Sequence, residues 1–184
     1  MPLDTPTYIL IDGENVDMTL GQILNNRPRP EQRPRWERVV RHVEERWGKP
    51  AKGLFFLNVT RGMPWTFISA LKSIGLQPIP LTGAADQKVV DIGIVRTLQA
   101  LATRPGDVML VSHDRDFAAA MTVLSGEGRR LGVLAFEEFV AGELREVPNI
   151  EIHDLEYHSD AFDGGALPRL RPIPVDEFDP LRFL

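Results

Sequence analysis

Two carboxylates stand two residues apart where a short apolar run ends: Val108 to Val111 gives way to Ser112, Asp114 and Asp116. Like charges that close repel unless a cation sits between them, and a divalent metal on oxygen ligands is the usual remedy. The same residues also suit a helix cap and first turn, where acidic side chains satisfy free N–H groups. A second acidic group follows another apolar run, Tyr8 to Ile11, as Asp12-Gly13-Glu14-Asn15. Here Gly13 permits a tight turn or the close approach of a ligand. The Asn15 amide both donates and accepts, so it can hold a phosphate or a neighbouring carboxylate. The plainer alternative is a capped turn, in which Asp and Asn are common. A third group is Asp91, which lies beside the apolar stripe Val90, Ile94, Leu98 and Leu101. Burying a carboxylate without a partner is costly. Either Lys88, three residues earlier, pairs with Asp91 on a helix surface, or Asp91 points toward Asp12, Asp114 and Asp116. In the second case Lys88 offsets negative charge or meets a phosphate.

The elements that would position these groups follow from hydrophobic patterning. Unbroken apolar runs suit strands buried on both faces of a parallel sheet. Tyr8 to Ile11, Gly53 to Val59, Leu76 to Leu81, Val108 to Val111, Arg130 to Phe136 and Ile150 to Leu155 are expected strands. Pro78 and Pro80 assign the third of these to a sheet edge. Helices are expected over Trp36 to Trp47, Trp65 to Ile74, Gln87 to Ala102 and Phe117 to Leu124, with a short one over Glu137 to Arg145. Parallel strands share their polarity, so Asp12 and Asp114 would leave the sheet at one edge, where open α/β sheets bind ligands.

Between the first strand and the first of these helices lies a Pro-broken loop from Asn25 to Arg35, carrying Arg27, Arg29, Arg33 and Arg35. Such a loop can grip a phosphate backbone, or it can simply be a solvated surface. Beyond His158 the pattern is lost. Residues 159–184 form a Pro-rich tail that still holds Phe162, Leu167, Leu170, Val175, Phe178, Leu181, Phe183 and Leu184, with Pro172 among its breaks. A tail this apolar is expected to pack along residues 1–158 or onto a second copy of the chain, making a homodimer.

Composition narrows the class. The chain has 184 residues, 43% of them hydrophobic, enough for a core. It has no cysteine, which excludes disulfides, thiol catalysis and cysteine-ligated zinc. No apolar run is long enough to span a bilayer, and the first residues lack a signal-like core, so a cytoplasmic location without a membrane partner is expected. The net charge of −5 hides an asymmetry: residues 137–184 carry 12 acids and 4 bases, whereas residues 1–136 carry 14 acids and 17 bases. Overall acidity therefore does not exclude a nucleic-acid partner.

Three segments together resemble a known family: Ile11-Asp12-Gly13-Glu14-Asn15, Lys88-Val89-Val90-Asp91, and Ser112-His113-Asp114-Arg115-Asp116-Phe117. They look like the signatures of the NYN domain, in the PIN-like superfamily of ribonucleases, and the resemblance covers residues 7–155. Each segment alone is weak; the first and last together are fairly specific. The resemblance implies an α/β fold, a Rossmann-like (PIN-like) three-layer sandwich with a mostly parallel central sheet. It further implies hydrolysis of RNA phosphodiester bonds with Mg²⁺ or Mn²⁺ held by Asp12, Asp91, Asp114 and Asp116, these four being the catalytic set. Asn15 and Ser112 match the accompanying polar positions, and with Lys88 and the four loop arginines they are the expected substrate contacts. Two residues depart from the family pattern: His113 stands where Gly is usual, and Arg115 where a small residue is common. They support the main alternative, an RNA- or protein-binding module with this fold and little turnover. A DNA nuclease or a phosphatase on a similar acidic edge is a third reading, although a haloacid-dehalogenase phosphatase needs Asp-x-Asp after the first strand and this chain has Asp12-Gly13-Glu14.

Overall fold

The structure, a computed structural model, describes residues 5–126, 128–169 and 173–184, so Leu170 and Pro172 of the tail lie outside the described residues. Six strands form the sheet: β1 (Thr7–Asp12), β2 (Ala51–Asn58), β3 (Gln77–Leu81), β4 (Asp107–Val111), β5 (Leu131–Ala135) and β6 (Ile150–Asp154). Their order is β3-β2-β1-β4-β5-β6, and every pairing is parallel. The strand order reverses between β1 and β4, which opens a crevice at their carboxyl ends. Ile11 pairs with Val111 in that register, so Asp12 and Ser112 leave the sheet at the same level. β3 lies at an edge, where Pro78 and Pro80 remove no interior ladder bond.

Helices cover both faces, which is why β4 is buried along its whole length. Alternation along the strands divides the core. Ile9, Ile11, Met109 and Val111 face α1 (Gly13–Leu24) and α2 (Trp36–Trp47), with Leu71 of α3 (Trp65–Ser73) in the same cluster. Leu10, Val108 and Leu110 face α4 (Val89–Leu101) and α5 (Ala118–Leu124). The long helix predicted from Gln87 starts two residues later, and the predicted helix over Glu137 to Arg145 is a 3₁₀ turn (Glu137–Phe139) followed by the short α6 (Gly142–Arg145).

The helix α1 is the element the sequence reading lacks. It begins directly at Gly13, with Asp12 as its cap. Val16, Leu20 and Ile23 form its buried stripe. Gly13 itself serves packing: a Cβ there would lie 2.4 Å from the Phe55 ring, so only glycine lets the helix start this close to β2.

Part of the tail belongs to the core. Ala161 and Phe162 are buried, and the Phe162 ring packs against Phe136 at 5.6 Å. The carbonyl of Ala161 accepts from the Arg35 N–H, and Asp163 pairs with both Arg35 and Arg38 at 2.8 Å. Arg169 pairs with Glu138 and Glu156 and lies over the Phe136 ring. Residues 173–184 differ: Val175 is 84% exposed and Leu184 is 99% exposed. Among the described residues, no helix is long and apolar enough to cross a membrane.

Truncation should separate the two halves of the tail. Ending the chain after His158 removes Phe162 from the core and should cost about 3 kcal/mol or more, as deletion of a buried Phe does. Ending it after residue 172 should leave the melting temperature almost unchanged. Equal melting temperatures for both truncations would show that Phe162 contributes no core stability.

Candidate metal centre at the carboxyl edge

The cleft at the switch point has a volume of about 360 Å³ and is lined by residues that include Asp12, Glu14, Asn15, Asn58, Lys88, Asp91 and Asp114. Three elements deliver its acids. Asp12 ends β1, Asp91 sits in the first turn of α4, and Asp114 and Asp116 follow β4. Carboxylate oxygens of Asp91, Asp114 and Asp116 all lie within 4.8 Å of one another. Asp12 is not in that trio; it stands behind it, 2% exposed, on the same cleft.

Capping and clustering coexist here, because each carboxylate has two oxygens. One Asp12 oxygen accepts the Asn15 N–H at 3.3 Å, and the other accepts the Ser112 hydroxyl at 3.1 Å. An oxygen of Asp114 accepts the Asp116 N–H at 2.9 Å and so caps the 3₁₀ turn Arg115–Phe117. Ser112 also accepts the Asp114 N–H at 3.2 Å, which ties the two acids together. Ser112, expected as a substrate contact, is fully buried, and its hydroxyl is occupied in holding Asp12.

Electrostatics follow from this placement. Burial pushes the Asp12 carboxyl up to about 7, against the partial opposition of its two hydrogen bonds, and the Asp91 and Glu14 charges add to the rise. Burial also raises Asp91, and the Asp114 carboxylate raises it further, with Lys88 opposing. Glu14 is raised by burial and by Asp91, although the Asn58 backbone N–H opposes this. The Lys88 ammonium lies 3.9 Å from Asp91 and 3.8 Å from Asp116. It therefore bridges two acids from the mouth of the cleft instead of neutralising one. Its side chain is 74% exposed, so solvent screens it heavily. A hard divalent cation fits this all-oxygen donor set better than the exposed ammonium does.

His113 does not line the cleft. Its ring is buried, with Nε2 accepting the Phe136 N–H at 2.9 Å and Nδ1 lying 2.7 Å from the Asn15 side-chain oxygen. Burial pushes its pKa down to about 4, so the ring is neutral near pH 7. With both nitrogens engaged, it is not poised to exchange protons with a substrate. Arg115 is exposed beside the acids.

The loop arginines are dispersed. Arg33 makes a two-pronged pair with Asp17 of α1, at 2.7 and 3.2 Å. Arg35 is held by Asp163, and Arg29 pairs with Glu31 at 3.2 Å on the surface. Arg27 is exposed. Three of the loop arginines thus meet carboxylates, in the loop itself, in α1 and in the tail, and none of the four lines the acidic cleft. Glu14 and Asn58 do line it and were missed; Glu14 falls in the first turn of the unanticipated α1.

The NYN domain family matches residues 6–156, a nuclease-like family whose PIN-like members use divalent metals. A crystal structure of a protein of unknown function from Vibrio parahaemolyticus RIMD 2210633 superposes with a TM-score of 0.66 at 15% identity, covering 86% of this chain and 98% of that one. At that identity the likeness is one of fold. No curated protein matches.

If like-charge repulsion dominates at Asp91, Asp91→Asn should melt at or above the parent temperature in chelator, because the substitution removes a charge and keeps the shape. Its stabilisation by millimolar Mn²⁺, expected by mass action in the parent, should shrink. A variant destabilised in chelator, with its Mn²⁺ response intact, would mean that Asp91 is a structural partner of Lys88 instead.

Proposed function

We propose, from the premise that this chain belongs to the NYN domain family, that it is a metal-dependent ribonuclease hydrolysing RNA phosphodiester bonds. The observation that carries this reading is the trio Asp91, Asp114 and Asp116, with oxygens within 4.8 Å of one another beside the buried Asp12. These four would hold Mg²⁺ or Mn²⁺, as the charge and hardness of the donors favour. Bound there, such an ion would supply an activated water and offset charge on the phosphate.

The protein's own groups have distinct tasks in this reading. Ser112 and the Asn15 N–H fix the Asp12 carboxylate by hydrogen bonds from two elements. Lys88 is the exposed cation at the cleft mouth, free to turn from Asp91 and Asp116 to a phosphate oxygen. Asn15 lines the cleft and offers an amide to the same substrate group. The choice of RNA over DNA rests on the family. The alternative, a binding module with little turnover, rests on His113 and Arg115; His113 is buried beside the cleft and absent from its lining, whereas Arg115 is exposed beside the acids.

Incubation of the purified protein with labelled single-stranded RNA and DNA in Mn²⁺ or in chelator tests the reading. Mn²⁺-dependent RNA cleavage is expected, falling by about two orders of magnitude or more in Asp114→Asn, as expected when a charged metal ligand is lost. Tight RNA binding with no cleavage at any metal concentration would favour the binding module. Cleavage of DNA alone would reassign the substrate.

A further inference from the structure

We propose that His113 is a positioning residue: it holds the Asn15 side chain so that the amide NH₂ faces the cleft as a donor to a phosphodiester oxygen. This role rests on the nuclease reading above and adds a residue to it.

The geometry fixes the protons without assumption. The His113 backbone N–H, which can only donate, reaches the Asn15 side chain at 2.8 Å, so the end of the amide that faces it is the oxygen. The His113 Nδ1 lies 2.7 Å from the same oxygen and must carry a proton to make a bond there. On the other side of the ring, the Phe136 backbone N–H donates to Nε2, which must be bare. The Thr19 hydroxyl gives its proton to the main-chain carbonyl of Asn15 at 3.0 Å and turns a lone pair toward Nδ1 at 3.3 Å. The Phe136 N–H therefore sets the tautomer of His113, and the backbone N–H and ring Nδ1–H of His113 together hold the Asn15 side-chain oxygen.

The consequence lies on the other end of the amide. Both lone pairs of the Asn15 oxygen are taken by His113, while its NH₂ has no hydrogen-bond partner among the described residues. Asn15 lines the cleft that holds the carboxylates. In a cleft otherwise rich in acceptors, a fixed donor favours an acceptor such as a phosphodiester oxygen and disfavours a donor in its place. Glycine at this position would keep the backbone bond but lose the ring bond. The amide would then be free to rotate about the remaining contact.

Two variants divide the ring's duties. In His113→Asn the shorter amide keeps a donor near the Nδ1 position but does not reach Phe136. In His113→Gln an oxygen reaches the Phe136 N–H, and no donor remains beside Asn15. Both should lower the melting temperature. With Mn²⁺ and single-stranded RNA, KM should rise about tenfold in the Gln variant, the scale of one hydrogen bond to a charged group, with a smaller change in kcat. The Asn variant should recover most of that loss despite its lower stability. Adding Asn15→Ala to the Gln variant should raise KM little further, because the two act through one contact. Equal KM values for the two variants, or values that track melting temperature, would overturn this role and leave the nuclease reading standing. If the parent protein neither binds nor cleaves RNA, the nuclease reading falls, and this role with it.

Discussion

Mutual repulsion among carboxylates in a poorly solvated corner is the constraint on which this structure turns. Asp12 is almost fully buried, and Asp91, Asp114 and Asp116 crowd in front of it. Burial makes Asp12 resist ionisation, pushing its carboxyl up to about 7, and the Asp91 and Glu14 charges add to the rise. The protein spends hydrogen bonds on holding the acids in place: Ser112 and the Asn15 N–H on Asp12, the Asp116 N–H on Asp114. The Lys88 ammonium, near Asp91 and Asp116, stays at the solvent edge. In the proposed reading, a divalent cation would offset the charge of these close-set acids.

The parallel sheet makes this crowding possible. β1 and β4 pair side by side, with Ile11 opposite Val111, so their first residues beyond the ladder meet above the switch point. α4 brings Asp91 from the opposite face, its stripe of Val90, Ile94 and Leu98 buried against the sheet. The surrounding packing is tight enough to exclude alternatives, as the Phe55 ring against Gly13 illustrates.

Much of this was legible in the sequence, for local reasons. Unbroken apolar runs marked the strands, and the α2 stripe marked its helix from Trp36 to Trp47 with no offset. The prolines of β3 assigned it to an edge. The acids of the cleft could be named because each ends a strand or opens a helix. What was not legible depends on partners far apart in the chain. The helix α1 opens on Gly13 and has Asn15 in its first turn, both weak helix formers, and the spacing of Val16, Leu20 and Ile23 is what betrays it. The arginine loop looked like a phosphate grip because Asp163, the partner of Arg35, lies 128 residues away. His113 looked like an intruder in a turn, since its contacts to Asn15 and Phe136 exist only in the folded chain.

The central claim is that the cluster is strained until a divalent cation relieves it. Calorimetric titration of Mn²⁺ into the metal-free protein, repeated in buffers of different ionisation enthalpy, tests it most directly. Asp12 has a folded pKa of about 7 against an ordinary 3.8, so it is largely protonated at pH 6 and must lose that proton as the cation binds. Binding should therefore release protons at pH 6, with the release fading above pH 8 and the affinity rising between the two. No binding at millimolar Mn²⁺, or binding whose affinity and proton count are the same at pH 6 and pH 8, would contradict the account.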